Sequence, residues 1–350
     1  MTLTVVVVTW NRLKELLRLL ADLATQSAPA DEIVVVDNGS DDGTAEAVAS
    51  RFPTIRVVRL QENMGLSVGR NVGIANANSD LLAILDNDLR VLDPAFLSKV
   101  RESAATHADC GIISFHCSNG LWPEDRRQPG ARLLSMQDLR TLAQRRESPV
   151  TPRAFYDWFF WGGACVLRRS VITLVGLFDG EFAYGGEEWD FAMRCHAAGV
   201  RLLRDEGLWV IHLRSRQMRA PWSNALIFEN MVIALSRYLP NRALVLFLPA
   251  QLAASGLKAL RTGGIGTFAK SVGRLLKTWR RRVLAKRMPV SKQVAARFFY
   301  LRTHRPIDYS EVERARTTLS DYYRSRWNGT GDLGKEQLVF VDCTSDAAAE

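Results

Sequence analysis

Two short acidic stretches have the residue types and the spacing to bind a metal ion and a nucleotide. In the first, Asp86, Asn87 and Asp88 directly follow the apolar run 81–85. Two carboxylates one residue apart repel each other unless a cation lies between them, and oxygen ligands suit Mg²⁺ or Mn²⁺, which also binds substrate phosphates. The alternative is a polar loop without a metal, because such aspartate pairs are common in loops.

The second stretch, residues 37–44, reads DNGSDDGT and follows the apolar run 33–36. Asn, Gly, Ser and Asp are the usual residues of turns, so a turn that leads into a helix explains this pattern equally well. The Asp37 carboxylate is also suited to accept hydrogen bonds from the amide or imide edge of a nucleobase. No GxGxxG follows the first apolar run, which argues against a dinucleotide-binding dehydrogenase.

A sheet of buried strands must position these stretches. Leucines at helical spacing between residues 13 and 23 predict the helix of a right-handed β-α-β unit, and further helical patterns follow Gly65 and Pro94. The sequence therefore predicts an α/β, Rossmann-like fold with a mixed, mostly parallel sheet flanked by helices. The short apolar runs that predict strands are 3–8, 33–36, 55–60, 81–85 and 112–115.

Three of the predicted strands end in polar residues. Because the carboxyl ends of parallel strands lie along one edge of a sheet, and ligands of such sheets bind there, we expect these residues to line one crevice. The sequence thus predicts a nucleotide-binding site at this edge of the sheet. Its residues are Thr9, Asn11, Arg12, Asp37, Asn38, Asp86 and Asn87.

Six motifs in order resemble the nucleotide-sugar glycosyltransferases of family 2, especially their rhamnosyltransferase-like bacterial members. The resemblance implies the GT-A fold and an inverting transfer of a hexose from a nucleotide diphosphate donor to an acceptor hydroxyl, with a divalent cation. It extends over about residues 2–212. The motifs are VVVVTWNR, VVVDNGSDDGT, GRNVGI, the DND at 86–88, WGGACVLRR and FDGEFAYGGEEWDFAMRCHAAG.

The resemblance also implies roles for single residues on the donor side. Thr9 and Asn11 would border the base, and Asp37 would bind its edge. Arg70, in the GRN of the third motif, would lie against the base or its phosphates; the alternative is an arginine on a helix surface. Asp86, Asp88 and His212 would bind the metal, and Trp161, Gly162 and Gly163 would lie on the acceptor side.

A general base is needed because a hydroxyl is a poor nucleophile until its proton is removed. The family commonly shows Glu-Asp-x-Asp in the last motif, with the second acid as the base, which implies Glu188. This chain has Glu where the family has Asp, so Glu187 and Asp190 remain alternatives. Carboxylates at the start of a helix also interact favourably with its dipole, and Asp190 and Arg194 have the spacing of an ion pair.

The formal net charge of +9 comes from the C-terminal part of the chain, where basic and apolar residues alternate. This pattern favours an anionic membrane surface, with a solvated helix face as the alternative. Nucleic acid would be attracted by the same charge, but no recognised nucleic-acid motif accompanies it, so we predict no such partner. The apolar run 243–257 is shorter than the ~20 residues of a spanning helix, which indicates an interfacial or packed helix.

Three regions are predicted: a GT-A nucleotide-sugar-binding and catalytic domain at 1–220, a helical basic extension at 221–328, and a weakly ordered tail at 329–350. The first residues lack the pattern of a signal peptide, and the five cysteines form no CxxC pair, so we expect reduced thiols and no zinc knuckle. We therefore expect a cytoplasmic enzyme, peripheral on the inner face of the membrane, that acts on a glycan or lipid-linked acceptor. The alternative function is a non-catalytic, membrane-associated nucleotide-sugar-binding protein.

Overall fold

The computed structural model describes residues 1–121, 154–214, 221–261 and 264–303. The predicted boundary near residue 220, the end of the predicted extension and the predicted tail 329–350 lie outside these ranges. The strands within them are β1 (Leu3–Thr9), β2 (Glu32–Asp37), β3 (Arg56–Arg59), β4 (Leu81–Asp86), β5 (Leu89–Arg90), β6 (Cys110–Leu121), β7 (Ala154–Asp157), β8 (Ala164–Arg168) and β9 (Arg201–Arg214).

Helices cover both faces of the sheet and form the C-terminal part of the described chain. Those that accompany the sheet are α1 (Leu13–Ala24), α2 (Thr44–Arg51), α3 (Leu66–Ala75), α4 (Phe96–Thr106), α5 (Arg169–Val175) and α6 (Glu187–Ala197). The C-terminal ones are α7 (Pro221–Tyr238), α8 (Asn241–Arg261), α9 (Ile265–Arg282) and α10 (Lys292–Thr303).

The strands form one mixed sheet in the order β3-β2-β1-β4-β8-β6-β9-β5, and β7 pairs with β9. The first four of these neighbours run parallel, as the β-α-β pattern predicts. Strand β8 is antiparallel to both β4 and β6, whereas β6 and β9 are parallel. The predicted α/β fold with helices on a mixed sheet is confirmed.

Both faces of the central strands are buried, which explains why their sequences are apolar without alternation. Val5 and Val7 of β1 pack on the face that α1 and α4 cover, whereas Val6 packs on the opposite face with Ile74 of α3. All three valines are fully buried. Burial of each such side chain stabilises the fold by about 1.5–3 kcal/mol. The strands therefore fix the positions at which the loops at their carboxyl ends begin.

The C-terminal helices pack against α6 and the segment before it. One hydrophobic cluster contains Phe182 and Met193 from that part of the chain and Leu235, Leu275 and Phe298 from α7, α9 and α10. The segment that carries the candidate acids therefore lies between the sheet and the C-terminal helices.

Helix α8 is longer than its apolar run indicates. It has 21 residues, because the polar residues on both sides of the run 243–257 continue the helix. By length and composition it could cross a membrane, and 22% of its most apolar window is buried inside the protein. An interfacial or packed position for this helix stays a prediction.

Candidate active site

The register of the sheet brings three of the predicted loop starts side by side. Thr9 at the end of β1 is opposite Asp37 at the end of β2, and Val8 is opposite Asp86 at the end of β4. The carboxyl ends of these parallel strands thus meet at one edge, where α/β sheets bind their ligands. The residues of the predicted nucleotide site lie together because of this pairing.

Asp37 is fully buried, and one of its carboxylate oxygens has no donor in the part of the chain that the structure describes. Its Oδ1 accepts a hydrogen bond from the backbone N–H of Ser40 at 2.9 Å. Its Oδ2 has no hydrogen-bond partner among the described residues, since the nearest cation, Arg59 Nε, is 3.9 Å away. A buried oxygen without a donor costs about 1–3 kcal/mol, so Asp37 is suited to accept a hydrogen bond from a ligand.

Asn11 and Asn38 shape the loops of this crevice. Asn11 has a φ of 50°, its N–H donates to Ser40 Oγ, and its Oδ1 accepts from the N–H of Asp41. The Asn38 amide donates to Asn63 Oδ1 and accepts from the N–H of Met64. Both side chains, predicted as nucleotide-binding, therefore have hydrogen bonds within the protein that fix the backbone around Asp37.

Thr9 and Asn87 connect the first loop with the acidic turn after β4. The Asn87 Nδ2 donates to Thr9 Oγ1 at 2.8 Å, and Thr9 is buried. Arg12, at the start of α1, has its Nη1 3.7 Å from Asp88 Oδ2. Side chains from β1 and its loop thus connect the candidate nucleobase side of the crevice with the candidate metal side.

Asp86, Asp88 and His212 place one ligand atom each within 4.8 Å of the others. The short strand β5 explains this, because Leu89 pairs with His212 in β9 and the N–H of Leu213 donates to the carbonyl of Asp88. His212 Nε2 lies 3.1 Å from Asp88 Oδ1. Two carboxylates and an imidazole fit a divalent cation such as Mn²⁺, which accepts both oxygen and nitrogen ligands.

Arg70 links the candidate metal side with the candidate acids. Its buried guanidinium lies on α3 and donates from Nη1 to Glu187 Oε1 at 2.8 Å and from Nη2 to Asp86 Oδ1 at 3.3 Å. Glu188 Oε1 is 3.6 Å from the same Nη1. Burial by itself would lower the pKa of Arg70, but the three carboxylates raise it, so the group is a permanent cation.

Gly162 and Gly163 allow the strand β8 segment to lie against these charged groups. A Cβ at Gly163 would lie 2.0 Å from the Asp86 carboxyl, and one at Gly162 would lie 2.5 Å from Arg70 Nη1. The carbonyl of Gly163 also accepts the N–H of Asp86 at 2.8 Å. Trp161, directly before them, is 40% exposed, so its ring is available for stacking against a sugar.

The three acids at the start of α6 have different environments. Glu187 is fully buried, whereas the Glu188 side chain keeps 17% of its surface exposed. Asp190 is buried and accepts hydrogen bonds from three residues outside the crevice. Those donors are Arg194 Nε at 3.0 Å, Tyr238 OH at 2.9 Å and Arg237 Nη1 at 3.2 Å.

Burial, together with the neighbouring Glu188 charge, raises the pKa of Glu187 well above its usual range, although Arg70 opposes the shift. The Oε2 of Glu187 has no hydrogen-bond partner among the described residues. Glu187 is thus enclosed beside Arg70, whereas part of the Glu188 side chain remains exposed.

Tyr184 is a residue of this site that its sequence pattern did not indicate. Its phenol is half-buried, and its pKa is raised by burial first and then by the charges of Asp86 and Asp88. The segment 182–184 is fixed to α3, since Ser67 Oγ donates to the carbonyl of Phe182 and the N–H of Leu66 donates to that of Ala183. The double glycine after Tyr184 is the signal that this backbone approaches the site closely.

The sequence pattern described as Glycosyl transferase family 2 matches residues 4–173. YfnE of Bacillus subtilis, an uncharacterized glycosyltransferase, is 28% identical over 59% of this chain and 63% of its own length. Validoxylamine A glucosyltransferase of Streptomyces hygroscopicus subsp. limoneus is 31% identical over 60% and 51%. N-acetylglucosaminyl-diphospho-decaprenol L-rhamnosyltransferase of Mycobacterium tuberculosis is 25% identical over 56% and 71%. The chain thus spans less than two thirds of the first two relatives.

Solved structures share the fold at low sequence identity. The TarS 1-349 structure from S. aureus superposes with a TM-score of 0.52 at 16% identity, covering 94% of this chain and 93% of that one. GalNAc-T7, solved with UDP, GalNAc and Mn²⁺, gives a TM-score of 0.54 at 18% identity, covering 81% and 58%. The matched pattern assigns residues 4–173 to glycosyl transferase family 2, and the strand order and these solved structures show the GT-A fold.

Proposed function

We propose that this protein is an inverting glycosyltransferase that moves a hexose from a nucleotide diphosphate donor to an acceptor hydroxyl. The observation that carries the proposal is one crevice that combines three elements. These are the buried Asp37 oxygen that has no donor among the described residues, the ligand atoms of Asp86, Asp88 and His212, and the partly exposed side chain of Glu188.

On the donor side, Asp37 accepts a hydrogen bond from the nucleobase, and the loop around it is held by Asn11 and Asn38. Asp86, Asp88 and His212 would hold Mg²⁺ or Mn²⁺. When bound there, a cation would supply positive charge that stabilises the departing diphosphate. GalNAc-T7, which shares the fold, was solved with UDP and Mn²⁺, which supports a nucleotide and a metal in this crevice.

On the acceptor side, Glu188 takes the proton of the attacking hydroxyl. A bond forms between the acceptor oxygen and the anomeric carbon while the bond from that carbon to the diphosphate oxygen breaks. Attack from the side opposite the leaving group inverts the configuration. Trp161 stacks on the acceptor sugar, and Gly162 lets the segment before strand β8 lie against Arg70. Asp190 has three partners outside the crevice and acts as scaffold.

Two relatives are named for the transfer of glucose and of L-rhamnose, one of them to a diphospho-decaprenol carrier. We infer a similar substrate class for this chain: a hexose or deoxyhexose donor, with rhamnose as the first candidate, and a glycan or lipid-linked acceptor. Polysaccharide or cell-envelope synthesis on the cytoplasmic side is the consistent setting, because nucleotide sugars and lipid carriers meet there.

A screen of nucleotide sugars by thermal unfolding tests the proposal. A donor at 100 times its Kd stabilises the folded state by about 2.7 kcal/mol, which we expect to appear as a rise in Tm only when Mn²⁺ is present. Turnover of that donor is then measured as release of the nucleoside diphosphate. Stabilisation without release for every acceptor would favour a non-catalytic binder, and the absence of any shift would contradict donor binding altogether.

Helices α8 and α9 support a proposal of membrane association. Val245 and Leu246 of α8 are 72% and 66% exposed. Lys277 and Arg280 on α9 are exposed and basic, and this arrangement suits an anionic lipid surface. Several other basic residues of this region are engaged inside the protein; for example, Arg274 and Arg282 pair with Glu229.

We expect K277Q/R280Q to bind vesicles of anionic lipid roughly 10-fold or more weakly, because each cation near such a surface contributes ~1 kcal/mol. The matched control is K14Q/R51Q, which removes the same charge from exposed positions on α1 and α2. Co-sedimentation with vesicles in which about a third of the lipid is anionic measures the partition coefficient. Equal losses in both variants would mean that binding follows net charge and not this face.

A further inference from the structure

The position of Glu187 and Glu188 depends on a turn of two glycines. Gly185 and Gly186 have φ values of 67° and 97°, which favour glycine. Gly186 is the N-cap of α6, so both acids follow it directly in the first turn of the helix. Any shift of this turn therefore moves both carboxyl groups.

Asn230 of α7 contacts this turn with both hydrogens of its amide. It is buried, and its Nδ2 donates to the carbonyl of Gly185 at 2.7 Å and to that of Tyr184 at 3.2 Å. The fit is tight, because a Cβ at Gly186 would lie 2.4 Å from the Asn230 Cβ. The two carbonyls that the unusual backbone leaves without a helical partner are thus satisfied by one side chain.

Arg282 at the end of α9 orients that amide. Its Nη2 donates to Asn230 Oδ1 at 3.1 Å, and its Nη1 donates to Glu229 Oε1 at 3.2 Å. Because Arg282 is a donor only, it fixes the oxygen side of the amide and directs the nitrogen toward the turn. Arg274 holds the other oxygen of Glu229 at 2.9 Å.

We propose that Asn230 and Arg282 are positioning residues for sugar transfer, which hold Glu187 and Glu188 in the crevice through the turn 184–186. The inference rests on the proposed function for the reaction itself. Both residues lie outside 4–173, the part that matches the family pattern. The C-terminal helices therefore complete the site, in addition to any membrane contact.

Asn230→Asp tests this role with little change of shape. A carboxylate would face two carbonyl oxygens without a hydrogen to donate, while Arg282 still pairs with it. We expect kcat to fall by roughly 100-fold, the effect of an ~1 Å misplacement, with donor KM changed less than about 3-fold because Asp37 and the metal ligands are untouched. The control is Asn76→Asp, which removes a hydrogen bond that the Asn76 side-chain amide donates to the carbonyl of Val72 at 2.9 Å.

A second readout does not depend on activity. In Asn230→Asp, hydrogen exchange of a peptide covering 184–190 should be faster than in the wild type, whereas a peptide covering 66–75 should be unchanged. Arg282→Lys, which keeps the charge but not both donors, should show the same pattern at a smaller amplitude. Unchanged exchange in both variants, or equal losses of kcat in Asn76→Asp and Asn230→Asp, would overturn the proposal. Faster exchange with no wild-type turnover would instead support the contact of Asn230 and Arg282 with the turn 184–186 and reject the transferase activity.

Discussion

Glu188→Gln should reduce kcat by about 10²–10⁴-fold, the usual contribution of a general base, and leave donor affinity nearly unchanged. Glu188 is the acid at the start of α6 whose side chain reaches solvent, with 17% of its surface exposed. Glutamine has the same shape but cannot take a proton. Release of the nucleoside diphosphate with saturating donor, Mn²⁺ and acceptor measures kcat, and titration calorimetry measures the donor Kd.

Glu187→Gln is the matched variant, because the two residues are adjacent and both contact Arg70. Glu187 is fully buried and its Oε1 accepts a hydrogen bond from Arg70, and glutamine keeps both the shape and this acceptor oxygen. We expect a loss of less than about 10-fold, the range of a perturbed but not deleted contact. A larger loss in Glu187→Gln than in Glu188→Gln would reverse the assignment of the base.

Asp88→Asn should abolish Mn²⁺-dependent turnover and weaken Mn²⁺ binding by roughly 10–100-fold or more, as removal of groups around a metal does. Asp88 is buried, and its carboxylate lies between Arg12 and His212. An amide keeps the shape of this contact but removes the negative charge that a cation needs. Mn²⁺ binding is measured by the loss of the free-ion signal in electron paramagnetic resonance.

Asp31→Asn serves as the control for Asp88→Asn, because Asp31 also forms an ion pair, with Arg101, but at the opposite edge of the sheet. The control should bind Mn²⁺ and turn over donor within about 2-fold of the wild type, as surface ion pairs contribute little. If Asp88→Asn keeps full Mn²⁺-stimulated activity, the cation is held elsewhere or is not needed. Melting temperatures of both variants show whether folding is intact.

The sheet and its loops could be predicted because their signals are local. Runs such as 33–36 and 81–85 are apolar on every residue, and this pattern requires a strand covered on both faces. The polar residues that follow, Asp37 and Asp86, then meet at one edge by the geometry of parallel pairing. His212 was named from the resemblance, and strand β5 explains how it reaches Asp88.

The environments of the acids could not be predicted in the same way. In sequence, Glu187, Glu188 and Asp190 differ little, and all three suit the start of a helix. Their partners Arg70, Arg237 and Tyr238 come from α3 and α7, far along the chain. The resemblance implied Glu188, and only the packing shows that this side chain keeps part of its surface exposed whereas Glu187 is enclosed.

Local sequence patterns predict the elements and the chemical groups: buried strands, polar strand ends, a pair of aspartates and a cluster of acids. These follow from side-chain period and local backbone preference, which act over a few residues. Tertiary structure alone decided that Arg70 bridges Asp86 and Glu187, and that Asn230 and Arg282 hold the glycine turn. Such contacts join distant parts of the chain, and their strength depends on burial, which no local pattern records.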